Sequence, residues 1–151
     1  MTLLDNASPD TGLTSTLYST TVHATGDGRN GHVSSDDGNI DMSVLMPKEL
    51  GGAGGATNPE QLFAAGYAAC FHSALRLVAG RLGVDTTDSA VSATVHLGST
   101  SSGGFGLAVE LDVSLPNATP EQAQLAVDRA HEVCPYSNAT RNNIDVALRV
   151  V

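Results

Sequence analysis

The stretch FAAGYAACF, Phe63 to Phe71, sets a cysteine inside one of the most apolar runs of the chain. Alanines, one glycine and three rings (Phe63, Tyr67 and Phe71) surround Cys70. Just upstream, TNPEQ carries a helix start: Asn58 can cap, and Pro59 suits the first helical position. Thr57 and Glu60 alternatively have the spacing of a capping box. With Gly83 as a stop, the pattern predicts a helix from Pro59 to about Leu82. Its first half is apolar or small on every side, which predicts burial all round. Ala64, Ala65, Gly66, Ala68 and Ala69 would let another helix approach closely. Cys70 then has two readings: a small hydrophobe packed in a core, or a reactive thiol in a dry pocket. The second needs a cation from elsewhere. Apolar surroundings raise a thiol pKa, and Cys70 is too far along its own helix to draw on that helix's N-terminus.

Outward from this helix the pattern changes to short strands. Leu17 to Ala24 is rich in β-branched residues and predicts a strand, followed by the Gly26–Gly31 turn GDGRNG. His32 to Ser35 and Ile40 to Leu45 predict two more strands about DDGN. GGAGG, from Gly51 to Gly55, is a flexible or closely approached loop. Ser92 to Leu97 and Leu107 to Leu115 predict a hairpin across SSGGFG. Thr119 caps a second helix with Pro120 at its first position, and Ile144 to Val150 closes the chain as a strand. The order predicts an α+β domain, with antiparallel sheets around a buried central helix. Residues 1–14 are expected to be a flexible tail and residues 15–151 a single domain.

With 151 residues, 41% apolar and 15% charged, the chain can bury a real core. Its net charge of −9 argues against nucleic acid and against an anionic membrane surface, since both call for clustered Lys and Arg. The N-terminus lacks the basic and apolar regions of a signal peptide, and Leu62–Phe71 is too short to span a bilayer. A cytoplasmic setting is expected. Two cysteines there read as inert, metal-bound or redox-active rather than as a permanent staple. No CxxC exists, and Cys-His groupings are too few for a structural zinc site.

The remaining candidates each have an ordinary reading beside a functional one. Cys134 closes the second helix before Pro135, and a helix end leaves it some freedom to move. Arg29 in the early turn is either solvated or functional. Glu60 suits the helix dipole in any case. His72 reads as a surface or packing residue. His131 shares a helix face with Cys134, but two ligands do not make a metal site.

Taken together, NPEQL before FAAGYAACF, EVCPYS 64 residues beyond Cys70, ELGGAGG and GRNG resemble the organic hydroperoxide resistance (Ohr) proteins of the Ohr/OsmC family, over roughly Leu17 to Val151. The resemblance implies an OsmC-like fold, an intertwined homodimer and a thiol peroxidase with no resident cofactor or metal. Its substrates would be organic and fatty-acid hydroperoxides, and its reductant a protein-bound lipoyl dithiol. It implies Cys70 as the peroxidatic cysteine, Cys134 as the resolving one, Arg29 as the peroxide-orienting cation and Glu60 as the carboxylate holding that arginine. Three departures stand out. Asn30 replaces the family's common Asp, the glycine loop looks one residue shorter, and Asn142 stands where Gly is frequent, though Asn also tolerates a left-handed backbone.

On this assignment the Cys70 thiolate attacks a peroxide oxygen, leaving a sulfenic acid and an alcohol. Cys134 condenses with it to a disulfide, and a dithiol reopens that bond by exchange. Arg29 would favour the thiolate, and Glu60 would fix the guanidinium. Phe63, Tyr67 and Phe71 are expected to favour a greasy alkyl chain. Glu60 and Cys70 are ten residues apart, roughly 15 Å along a continuous helix, so sites shared between two chains are expected. Two alternatives stay open: an OsmC-type peroxidase with another substrate and reductant, and a non-catalytic dimeric binder of fatty-acid-like ligands. A Cys-His hydrolase fits less well, because His72, two residues from Cys70, points elsewhere on a helix.

Overall fold

Pro59 at the first position and Gly83 just past the end bound the long helix as the sequence predicts: α1 runs Pro59–Leu82. Gly83 takes a left-handed φ of 70°. Its N–H donates to the Gly80 carbonyl and that of Val84 to the Ala79 carbonyl, so the carbonyls left over at the helix end are satisfied in a Schellman arrangement. The structure, a computed structural model, describes residues 12–151. The first eleven residues, most of the expected tail, lie outside the described residues. Contacts group the chain into two compact units, one ending at Asn58 and one spanning Pro59–Val151.

The first unit is an antiparallel meander of β1 (Val22–Asp27), β2 (Asn30–Ser35) and β3 (Asp41–Val44). Gly28, at φ 64°, opens the two-residue turn Gly28–Arg29 and sets the register Asp27↔Asn30; such a glycine matches the twist of a tight hairpin. The strand expected from Leu17 begins only at Val22, because its hairpin partner ends at Ser35, opposite Val22. Leu17 and Tyr18 are exposed. Asn30, where the family commonly has Asp, still accepts a hydrogen bond, from the Met46 N–H at 3.1 Å. In the glycine loop, Gly52 is closely approached: a β-carbon there would stand 2.0 Å from the Met46 carbonyl oxygen.

The second unit packs α1 against β4 (Ala90–Ser99), α2 (Pro120–Val133) and α3 (Pro135–Thr140). Its sheet has the order β4-β5-β6, with β5 at Phe105–Ser114 and β6 at Val146–Val150. The antiparallel expectation holds for β4 with β5 but not for β6, which pairs parallel to β5. The connection from β5 to β6 passes through two helices, and a helical crossover returns the chain in the same direction. Val109, Leu111 and Val113 alternate along β5 and are buried. They face Tyr67, Phe71, Leu75 and Ala79 of α1 and Ala123, Ala126, Val127 and Ala130 of α2 within one core. Thr119 caps α2 in a full capping box with Gln122.

α1 is not buried all round. Tyr67, Phe71, Ala74, Leu75, Val78 and Ala79 are buried, while Ala65, Ala69, Ser73 and Leu77 form an exposed stripe. The helix is long and apolar enough to cross a membrane by length and composition alone, a test that core helices also pass.

Candidate active site

One helix break and one helix face bring the cysteines together. Tyr67, Phe71 and Ala74 point into the core, and Cys70, on the neighbouring turn, sits half-buried at its edge. Pro135 disfavours a helical conformation for the residue before it. Cys134 therefore turns extended, at φ −62° and ψ 124°, ending α2 and starting α3. The sequence left Cys134 with freedom to move at a helix end. In the structure it is wholly buried as a member of the core, and the chain beyond it forms α3, a helix not predicted from the sequence. The two sulfurs lie 3.8 Å apart and both are free thiols. A disulfide bond of about 2.05 Å would need a shift of under 2 Å.

Burial pushes the Cys70 thiol above its ordinary value of 9.0. The backbone N–H of Tyr136, in the first turn of α3, works against this, and the neighbouring Cys134 adds to it. So although the N-terminus of α1 is too distant to help, a backbone donor does reach Cys70 from another helix.

The same residue, Tyr136, turns its ring toward Phe63 and Tyr67, with centroids 6.2 and 5.7 Å away. Gly66 makes that possible, since a β-carbon there would stand 2.7 Å from the Tyr136 hydroxyl. Tyr136 and Phe63 line a cavity of about 400 Å³ together with Phe105, Leu107, Thr140 and Ile144. Of the three rings expected to meet substrate, Phe63 lines this cavity. Tyr67 and Phe71 are closed off from solvent and pack the core. Phe105, 81% exposed at the hairpin end of β5, was missed in the sequence because GGFG reads only as a turn. Tyr136, two residues after Cys134, was missed as well, because its ring contacts depend on tertiary packing.

Behind the sulfurs runs a chain of hydroxyls. The Tyr67 hydroxyl lies 2.9 Å from Ser137 Oγ and 3.1 Å from Thr140 Oγ1, and His131 Nδ1 lies 2.8 Å from the same Ser137 Oγ. Burial, then the positive Arg141, lowers the His131 pKa below its ordinary 6.5, against the opposing pull of Asp128. The Arg141 guanidinium donates to the His131 carbonyl and to Asn138 Oδ1. His72 bonds to Ser89 Oγ at 2.9 Å, as a packing residue would.

The other two predicted residues occupy the elements expected of them: Arg29, half-buried, in the β1–β2 turn, and Glu60, half-buried, in the first turn of α1. α1 is continuous, so Glu60 stands roughly 15 Å of helix rise ahead of Cys70. Asn142 takes the left-handed φ of 61° that glycine would supply. Among the described residues no group of three or more His, Cys, Asp or Glu could hold a metal ion.

The family model for OsmC-like proteins matches residues 52–149. The chain is 49% identical over 134 residues to the organic hydroperoxide resistance protein of Xanthomonas axonopodis pv. citri, covering 87% of this chain and 93% of that one. It is similar in structure to an organic hydroperoxide resistance protein from Legionella pneumophila, with TM-score 0.86 and 51% identity over 90% of this chain and 98% of the other. The organic hydroperoxide resistance protein OhrB of Bacillus subtilis has TM-score 0.82 and 46% identity, over 90% and 100% of the two chains. The chain belongs to the Ohr/OsmC family.

Proposed function

We propose that the protein is a cysteine-based peroxidase that reduces alkyl and fatty-acid hydroperoxides to alcohols. The observation that carries this reading is the pair of free sulfurs 3.8 Å apart, one half-buried and one wholly buried, in a chain whose relatives are organic hydroperoxide resistance proteins. The half-buried member, Cys70, is the one a peroxide can reach. Its thiolate attacks the distal peroxide oxygen, the O–O bond breaks, and the alkoxide leaves with a proton as the alcohol. The Cys134 sulfur then attacks the Cys70 sulfenic acid, forming the S–S bond and releasing water before irreversible oxidation. A lipoyl-type dithiol reduces the disulfide by exchange.

Burial raises the Cys70 pKa, so the resting sulfur is mainly a thiol unless a cation acts on it. Arg29 is assigned that role, as a guanidinium that stays charged at any working pH, and Glu60 the role of holding it. The cavity beside Tyr136, walled by Phe63, Phe105 and Ile144, suits an alkyl tail, whose burial contributes about 0.8 kcal/mol per methylene. The working unit is a homodimer in the cytoplasm. The exposed Ala65, Ala69 and Ser73 stripe of α1 and the β1 strand, exposed at all six residues, support a second copy. Sites shared between the two chains would relieve the separation of Glu60 from Cys70 along α1.

Stopped-flow consumption of an alkyl hydroperoxide, compared with hydrogen peroxide, tests the reading. Wild-type protein should prefer the alkyl substrate and lose two mass units as the intramolecular Cys70–Cys134 disulfide forms. Cys70→Ser should abolish turnover, and Arg29→Gln should raise the pH midpoint of Cys70 alkylation. A Cys70→Ser protein that still consumes the hydroperoxide would remove Cys70 as the nucleophile, whereas a wild-type protein that binds a fatty acid and consumes no hydroperoxide would leave the ligand-binding alternative.

A further inference from the structure

The chemistry above makes no use of the hydroxyl chain behind the sulfurs. Tyr67 and Ser137 are wholly buried and Thr140 nearly so. A hydroxyl placed in apolar surroundings is costly unless it is hydrogen-bonded. Here every buried side-chain polar atom among the described residues has a partner. Position along the chain gives the network its meaning. Tyr67 stands three residues before Cys70, His131 three before Cys134, and Ser137 three after it. On α1 that spacing puts Tyr67 and Cys70 on one face. The chain of bonds from His131 to Ser137 to Tyr67 to Thr140 therefore links α2, α3 and α1, the three helices that carry or flank the two cysteines. Apolar packing alone is non-directional, whereas the two hydrogen bonds from Tyr67 select one orientation of α3 on α1, and the His131–Ser137 bond ties α3 to α2.

We propose that His131, Ser137, Tyr67 and Thr140 form a positioning network that holds Cys134 within closing distance of Cys70, so that disulfide formation outruns further oxidation of Cys70. The consequence for overoxidation rests on the peroxidase reading; the positioning itself does not. In the closing step the Cys134 sulfur bonds to the Cys70 sulfur, the S–O bond of the sulfenic acid breaks, and hydroxide leaves with the thiol proton as water. In the competing step a second hydroperoxide carries the sulfenic acid to sulfinic acid and itself becomes an alcohol. Without the network, closure must also order α3, and the competing step gains.

The test uses two oxidants. The reduced protein is equilibrated with mixtures of glutathione and its disulfide, where each closure oxidises two protein thiols and yields two molecules of glutathione. The fraction of intramolecular disulfide is read by mass. Ser137→Ala and His131→Ala should lower the closure constant by roughly three- to tenfold, the span of one lost buried hydrogen bond. His131→Asn, whose amide stands where Nδ1 stands, should restore it. With an excess of alkyl hydroperoxide, the sulfinic acid fraction at Cys70 should rise in the same order. Because His131 is only half-buried, its two variants decide the question even if Ser137→Ala fails to fold. Closure constants equal to wild type in both alanine variants, or His131→Asn no better than His131→Ala, would overturn the proposal. The glutathione ordering intact with no closure by hydroperoxide would support the positioning role and sink the peroxidase reading instead.

Discussion

Gly66→Ala should destabilise the protein, or at best leave it unchanged, although alanine is the better helix former. A glycine inside a helix costs about 1 kcal/mol relative to alanine, so the substitution at this α1 position starts with that gain. Against it, the new β-carbon would stand 2.7 Å from the Tyr136 hydroxyl oxygen and 3.1 and 3.2 Å from two ring carbons. To reach ordinary contact the ring must retreat by about 0.7 Å. That loosens its contacts with Phe63 and Tyr67, each worth about 0.5–1.5 kcal/mol. The expected net is between zero and about 1 kcal/mol of destabilisation. In a Tyr136→Ala background the obstacle is gone, and Gly66→Ala should stabilise by about 1 kcal/mol. The assay is urea unfolding of the four proteins of this cycle at one fixed concentration, with m-values compared. Equal effects of Gly66→Ala in the two backgrounds would refute the reasoning, since the glycine would then not be serving the tyrosine.

Acid should weaken the protein through His131. Its folded pKa is lowered, so the unfolded chain takes up the proton first. The stability present above the ordinary value of 6.5 is then lost as pH falls through that value toward the folded one. Urea melts of wild type and His131→Asn across this range should differ in slope, and identical slopes would remove His131 as a cause. Phe105→Ala should lower kcat/KM about tenfold for a long-chain hydroperoxide, as two unburied methylenes imply, and leave hydrogen peroxide consumption unchanged. An equal loss on both substrates would place the tail elsewhere. Gly83→Ala should cost about 1 kcal/mol in thermal or urea unfolding, because a side chain is strained at φ 70° where glycine is not. No loss there would mean that the end of α1 rearranges freely.

Local rules carried much of the fold into the sequence. Pro59 and Gly83 marked both ends of α1, Thr119 and Pro120 marked the start of α2, and the alternation along β5 marked its buried face. These signals are short-range: a missing N–H, a left-handed backbone, a two-residue period. The family and its two cysteines were legible for the same reason, as motifs with fixed neighbours. What lies between distant segments was not. The pattern of FAAGYAACF suggested burial all round, yet Ala65 and Ala69 face outward, because small residues are compatible with either side of a helix. The direction of β6 depended on two helices crossing over before it.

The sequence by itself determined where the helices begin and end and which motifs mark the family, since capping, proline geometry and residue type act within a few positions. Only the tertiary structure decided that the two sulfurs meet at 3.8 Å, that Tyr136 lends its backbone to one and its ring to the cavity, and that Tyr67 belongs to a buried hydroxyl chain rather than to the pocket wall. Those relations join residues about 70 positions apart. They follow from how α1 and α3 pack, which no local preference specifies.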